Sequence, residues 1–243
     1  MQGNVRLEKY AVEHKEDSFL QGVKDCIPTL LGYLSIGLAA GVIGHTAGLS
    51  VAEIALISIL VYAGSAQFIM AGMIAAHGSA ISIITTVLFV NLRHLLLSAA
   101  LSPYFRHLTP FKNMLIGALL TDETFGVAIT QTAKKKQISE KWMHGLNITA
   151  YINWVVANIV GAFFGQWITN PDSLGLDFAL PAMFIGLLVI LMASRPKLIV
   201  DIIVALCAVV LVVGVSLVSS SSAGIIVATV LAATIGMAVE KWK

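Results

Sequence analysis

The chain has 243 residues, 58% of them hydrophobic and only 12% charged, with a formal net charge of +2 at pH 7 and a mean hydropathy of +0.89. Soluble domains carry about a quarter charged residues, so the composition excludes a soluble fold and specifies an integral membrane protein. The small net charge gives no support for a nucleic-acid partner, and the basic residues read instead as topology signals.

The first stretch, "MQGNVRLEKYAVEHKEDS", mixes both charge signs and has no apolar core of the kind a secretory signal needs. Residues 1–20 are therefore expected to be a cytoplasmic N-terminal segment and residues 21–243 a membrane domain. From there, apolar stretches recur near 26–44, 54–76, 80–102, 111–132, 143–168, 176–194, 198–218 and 223–239. Most of them can cross about 30 Å of hydrocarbon at about 1.5 Å per helical residue. Backbone groups in lipid must be satisfied within a segment, and the alternation of a barrel strand is absent. The expected fold is all-α, a polytopic transmembrane helical bundle of about eight apolar segments.

Loop charges set the orientation. With the N-terminus cytoplasmic and eight full spans, Arg6, Lys9, Lys15, Lys24, Lys134, Lys135, Lys136, Lys141, Arg195, Lys197, Lys241 and Lys243 all fall on the cytoplasmic side, and both termini lie there. Arg106 and Lys112 fall on the wrong side. They become cytoplasmic if the second and fourth segments are re-entrant or broken helices that do not cross. Both segments are weak as straight helices, because one contains "YAGSAQF" and the other "LLTDETFG". Irregular backbone at membrane depth is tolerated only where it is buried in protein or lines a watery cavity.

Four groups of residues interrupt this apolar background. Arg93 and His94 lie mid-segment, where a charge costs roughly 2.5–3.5 kcal/mol, and Asp122 and Glu123 lie at similar depth in the next segment. Arg93 is expected to pair with Asp122 or Glu123; adjacent acids on a helix diverge by about 100°, so the other acid faces a cavity. Such a pair either fixes helix register or marks a substrate or ion path, in which His94 is a candidate proton relay. Gly64, Ser65 and Ala66, flanked by Tyr62, Gln67 and Phe68, permit either close helix packing or an interrupted helix whose amides face a carboxylate. Asn147, Tyr151, Asn153 and Asn158 are expected to form interhelical hydrogen bonds.

Absences narrow the chemistry. No phosphate loop and no zinc-binding His pair occur, and Cys26 and Cys207 lie far apart within apolar segments, so no cofactor, metal or disulfide framework is expected. Ser65 with His94 satisfies an intramembrane hydrolase by residue type alone, since "AGSAQ" departs from G-x-S-x-G. "DCIP" and "DFALP" each place an acid shortly before a proline at the opening of an apolar helix, a weak sign of related halves.

Taken together and in order, "VYAGSAQF", "VNLRHLLLSAAL", "LTDETF", "AYINW" and "GLDFALPAMF" resemble the large subunit of the azaleucine-resistance (AzlC-type) branched-chain amino-acid exporters. The likeness runs from "GVKDCIPTLLGYLSIGLAAG" to the C-terminus. It implies a secondary permease in the plasma or inner membrane that moves valine, leucine, isoleucine and, in some members, methionine, and that works with a small AzlD-type membrane subunit. Gly64, Ser65, Gln67, Asn91, Arg93, His94, Asp122 and Glu123 stand at family-characteristic positions. The expected substrate site comprises Gly64, Ser65, Ala66, Gln67, Phe68, Asn91 and Arg93, with Arg93, His94, Asp122 and Glu123 serving ion pairing and proton coupling. The substrate carboxylate would meet the "AGSAQ" amides or Arg93, its ammonium Asp122 or Glu123, and its side chain Phe68, Met70 or Phe125. A scaffold that only assembles a transporting partner is the main rival.

Overall fold

A computed structural model describes residues 18–132, 135–168, 170, 172–193, 198–217, 231 and 234–236, and these contain helices and no strands. In chain order the α-helices are α1 (Phe19–Thr46), α2 (Val51–Leu60), α3 (Gly64–Ala75), α4 (Ala80–Asn91), α5 (Arg93–Leu101), α6 (Pro110–Ala118), α7 (Asp122–Thr132), α8 (Glu140–Gly165), α9 (Ala179–Ala193) and α10 (Leu198–Ser216). Residues up to Leu187 form one unit and those from Leu188 onward a second. Four stretches are long and apolar enough to cross a membrane: α1, α4 with α5 through Phe105, α8, and Leu198–Val215. The basic N-terminal residues Arg6, Lys9 and Lys15, as well as Lys134, Arg195, Lys197, Lys241, Lys243 and most of the 223–239 segment, lie outside the described residues.

Helices α1 and α8 form the frame, lying side by side and parallel. Glycines on both let the backbones touch: a Cβ on Gly22 would overlap the Trp142 carbonyl, one on Gly41 the Asn158 carbonyl, one on Gly145 the Phe19 carbonyl and one on Gly161 the Leu38 carbonyl. Without a hydrophobic drive between helices in lipid, this close packing is what holds them. Both helices begin on a serine cap, Ser18 accepting from the Gln21 amide at 3.1 Å and Ser139 from the Trp142 amide at 3.5 Å. Helix α1 opens before Lys24 and Asp25, seven residues earlier than the 26–44 apolar stretch suggests. Asp25 is accommodated because Gln21 Nε2 and Trp142 Nε1 each donate to it at 2.8 Å.

The second and fourth segments are both broken, and both double back. Between α2 and α3, Tyr62 takes φ 41°, a left-handed conformation that costs a bulky residue energy. Gln67 Nε2 then donates to Ser58 Oγ at 3.1 Å. In a continuous helix those residues would be separated by about 13.5 Å along the axis, beyond the reach of the two side chains, so the chain folds into a hairpin. It enters beside the C-terminal end of α1, where Ile54 packs under Gly44. It leaves at the same end, because α4 and α5 then descend past the middle of the frame to its N-terminal end.

The fourth segment mirrors this from the other side. Lys112 near the start of α6 pairs with Glu140 at the start of α8 at 2.7 Å. After α7, the Ile138 amide donates to the Tyr104 carbonyl at 3.2 Å. The α6–α7 excursion thus starts and finishes at the N-terminal end of the frame. A span followed by a hairpin from the far end, then a reversed span followed by a hairpin from the near end, is an inverted repetition. It pairs different segments from those that the two acid-proline sequences hint at.

Of the two topologies that the sequence leaves open, this arrangement fits the one with re-entrant second and fourth segments. The second and fourth segments each return to the end from which they start, and Arg106 and Lys112 lie at the same end as Lys24, Lys135, Lys136 and Lys141. The third segment also carries a one-residue irregularity at Leu92 between α4 and α5, which the sequence does not announce.

Candidate functional site

The tips of the two hairpins meet halfway along α1 and α8. Tyr62, Ala63 and Gly64 come from the first tip and Thr121, Asp122 and Glu123 from the second. With Tyr33, Arg93, His94 and Trp154 they line a narrow cleft whose empty space, open mouth included, is about 280 Å³. The enclosed part is no larger than a water molecule.

Two half-helices point their N-termini at this cleft, and their chemistry differs. Helix α7 is capped: the Thr124 amide donates to Thr121 Oγ1 at 3.4 Å, the Thr121 amide donates to Thr124 Oγ1 at 2.9 Å, and Asp122 and Glu123 fill its first turn. Helix α3 is bare. Its N-cap is Ala63, no side chain caps it, and no acid lies in its first turn. A helix N-terminus carries roughly half a positive charge and unsatisfied amides, so the amides of Gly64, Ser65 and Ala66 offer an anion site with no internal occupant. The Tyr62 hydroxyl, on the side of Tyr33, Thr121 and Glu123, is buried and has no hydrogen-bond partner. Gly64 permits the approach, since a Cβ there would stand 3.1 Å from Trp154.

The ionic groups divide as adjacent positions on a helix demand. Arg93 Nη1 lies 3.0 Å from Asp122 Oδ2, and its guanidinium stands 5.3 Å from the ring centre of Phe184. Glu123 turns the other way and accepts from the Tyr33 hydroxyl at 2.7 Å, while that hydroxyl also contacts Thr121 Oγ1. His94 Nδ1 donates to the Leu120 carbonyl at 2.9 Å, at the end of the descending arm of the second hairpin, which leaves Nε2 buried without a partner.

Of the positions expected to bind substrate or to serve ion pairing and proton coupling, the cleft brings Gly64, Arg93, His94, Asp122 and Glu123 together. Ser65, Ala66, Gln67, Phe68 and Asn91 do not line it, nor do Met70 and Phe125. Gln67 has a supporting position instead: Trp154 Nε1 donates to its Oε1 at 3.0 Å while its Nε2 holds Ser58, which ties the first hairpin to α8. Ser65 Oγ and Asn91 Oδ1 are buried without partners. Ser65 makes no hydrogen bond to His94, whose Nδ1 is engaged elsewhere, so the nucleophile–base contact of a hydrolase is absent among the described residues. Sequence reasoning did not assign Tyr33 to the site, because one tyrosine on a long apolar helix carries no distinguishing signal. Trp154, likewise not assigned to the site, stacks edge-on against Tyr33 with centroids 5.5 Å apart.

The polar residues of α8 fasten both hairpins to the frame. Asn147 Nδ2 donates to the Ile116 carbonyl at 3.0 Å, the Tyr151 hydroxyl to the Ile59 carbonyl at 3.0 Å and Asn153 Nδ2 to the Leu30 carbonyl at 3.3 Å. Asn158 instead bonds the Trp154 carbonyl of its own helix at 2.9 Å.

Apolar spans, paired re-entrant hairpins and a charged cleft where their tips meet define a multi-pass membrane protein with an interior polar site. The family model described as AzlC protein matches residues 28–168, more than half of the chain, and the chain belongs to this family. It is 31% identical over 176 residues to the inner membrane protein YgaZ of Escherichia coli (strain K12), covering 70% of this chain and 72% of that protein. It is 28% identical over 180 residues to an uncharacterized membrane protein of Archaeoglobus fulgidus, covering 72% of this chain and 76% of that one. It is 27% identical over 159 residues to the branched-chain amino acid transport protein AzlC of Bacillus subtilis (strain 168), covering 65% of this chain and 62% of that protein. No solved structure matches the chain.

Proposed function

We propose that the chain is a secondary permease that exports branched-chain amino acids, with methionine as a further substrate, and that it works with a small AzlD-type membrane subunit. Family membership and the name of the Bacillus relative support a membrane transporter. The observation that carries the substrate class is the asymmetry of the two half-helix N-termini. A bare α3 terminus faces an α7 terminus that carries two carboxylates. The first suits a carboxylate and the second an ammonium, and a zwitterionic amino acid presents both.

Arg93 is already held by Asp122, which favours the α3 amides over Arg93 for the substrate carboxylate. Tyr62, Trp154 and Tyr33 supply apolar surface for an aliphatic side chain. One methylene in such surroundings discriminates by only about 1–3 kcal/mol, so valine, leucine, isoleucine and methionine compete with one another. The described residues Lys24, Arg106, Lys112, Lys135, Lys136 and Lys141 gather at the N-terminal end of α1 and α8, which supports a cytoplasmic location for that end by the positive-inside rule.

The test is efflux of labelled leucine from proteoliposomes containing the chain, with and without its small subunit. Efflux slowed by valine, isoleucine and methionine, but not by leucinol, which lacks the carboxylate, supports the proposal. A protein that assembles its partner yet carries none of these amino acids refutes it in favour of a scaffold.

A further inference from the structure

We propose that Glu123 is the proton-carrying group and that proton and substrate ammonium occupy its carboxylate alternately, so that transport is an exchange of one proton for one amino acid. The inference rests on the permease reading above and assigns its coupling step, which that reading leaves open.

Charge balance around the cleft singles out Glu123. Arg93 is the one permanently charged cation among the lining residues, and it is committed to Asp122 at 3.0 Å. No Lys, Arg or His among the described residues lies within ion-pair distance of Glu123. Its carboxylate has a single side-chain donor outside its own turn, the Tyr33 hydroxyl at 2.7 Å. Glu123 is partly exposed, to the cleft, and a carboxylate at mid-membrane depth with no cation beside it is costly, so a positive charge from outside the protein is stabilised there. A proton or a primary ammonium supplies that charge, and each excludes the other.

The groups that face Glu123 leave it as the free acceptor. Helix α1 contributes Tyr33, the first hairpin tip Tyr62, α5 contributes Arg93 and His94, and α7 itself contributes Asp122. Helix α8 contributes Trp154, which does not titrate. Tyr33 and Tyr62 lie too near neutral charge to replace the missing cation. Asp122 is neutralised. His94 spends Nδ1 on the Leu120 carbonyl and sits next to Arg93, where a second positive charge would stand against the first.

The cycle follows. With the cleft open to the side of high proton concentration, Glu123 takes a proton from water and substrate leaves. With the cleft open to the other side, an amino acid enters with its ammonium toward Glu123, and the proton passes to water on that side. No bond other than O–H is made or broken, and an inward proton gradient drives outward transport.

Calorimetric titration of the purified full-length chain together with its small subunit, with leucine, in buffers of differing ionisation enthalpy and across about three pH units, measures affinity and protons released together. The wild type is expected to release one proton per leucine on the acid side, where affinity falls about tenfold per pH unit. Glu123→Gln should bind more weakly, release none and show a flat profile. Glu123→Asp restores release, Tyr33→Phe displaces the pH profile while keeping the proton count, and His94→Gln keeps the count. If Glu123→Gln does not fold, the aspartate and Tyr33→Phe proteins carry the test through the displacement of their profiles.

Proton release that persists in Glu123→Gln, profiles that Glu123→Asp and Tyr33→Phe leave in place, or release that vanishes in His94→Gln, overturns the assignment. A wild type that binds leucine without releasing protons overturns the exchange and leaves the permease reading standing. A wild type that binds neither leucine, valine, isoleucine nor methionine brings down the permease reading itself.

Discussion

Breaking the ion pair between Arg93 and Asp122 from either side should cost more than removing both partners. The charges are 3.0 Å apart, with side chains 23% and 20% exposed. At an effective dielectric of about 20, the attraction at that distance is about 5.5 kcal/mol. Desolvation of two largely buried ions and their remaining contact with solvent cancel most of it, leaving a coupling of about 1–3 kcal/mol. Arg93→Leu strands Asp122 beside Glu123, so two carboxylates share a first helical turn with no cation. Asp122→Leu strands a guanidinium at mid-membrane depth. The double variant leaves neither and should recover the coupling energy. For a chain of this size each kcal/mol moves the midpoint of thermal denaturation by about 2–4 °C. The assay is a thermal-denaturation series of the purified wild type, the two single variants and the double variant in one detergent. Single variants that each lose several degrees, with a double variant that loses less than either, are expected. Strict additivity would refute the claim that the pair acts as a unit.

Further outcomes follow from individual contacts. Gly161→Ala places a methyl group where the Leu38 carbonyl lies, so α1 and α8 must separate, and a loss of about 1–3 kcal/mol is expected in the same denaturation assay. Gln67→Leu leaves the buried Trp154 N–H without its acceptor and should cost about 1–3 kcal/mol, with the loss relieved in the Trp154→Phe background. Tyr62→Phe keeps the edge-on contact with Tyr151 at 4.8 Å but removes the orphaned hydroxyl; leucine binding should weaken several-fold with little change in thermal stability. Cysteines introduced at Lys112 and at Lys141 should react with an impermeant thiol reagent from the same side of the membrane, whereas a crossing fourth segment would place them on opposite sides.

The points of breakage were legible in the sequence because they are local. "YAGSAQF" and "LLTDETFG" put small or polar residues where a straight span needs apolar helix formers, and both are where the helices end. The pairing of Arg93 with an acid of the next segment was also legible, since an unpaired charge at that depth is so costly. The direction of the chain after each break was not. A re-entrant hairpin and a crossing helix share the same hydropathy, and what separates them are long-range contacts such as Ile138 with Tyr104 and Lys112 with Glu140. The misplaced signs of Arg106 and Lys112 were the only hint. The start of α1 was obscured by Lys24 and Asp25, because the Trp142 indole that accommodates Asp25 comes from a distant helix. Tyr33 and Trp154 escaped the substrate-site reading for the same reason: on apolar helices aromatic residues usually pack, and only their convergence on two hairpin tips distinguishes these two.

The claim most in need of a direct test is that the substrate lies between the two tips. Ala63→Cys and Thr121→Cys, one on each tip, can be placed singly in a background with Cys26 and Cys207, both free thiols, replaced by alanine. The rate of alkylation of each is then measured with leucine, leucinol or isocaproate present. The account predicts that leucine slows modification at both positions about tenfold, while leucinol, without a carboxylate, and isocaproate, without an ammonium, protect neither. Labelled leucine that still crosses the membrane through these proteins, with neither cysteine protected, would place the site elsewhere and contradict the account.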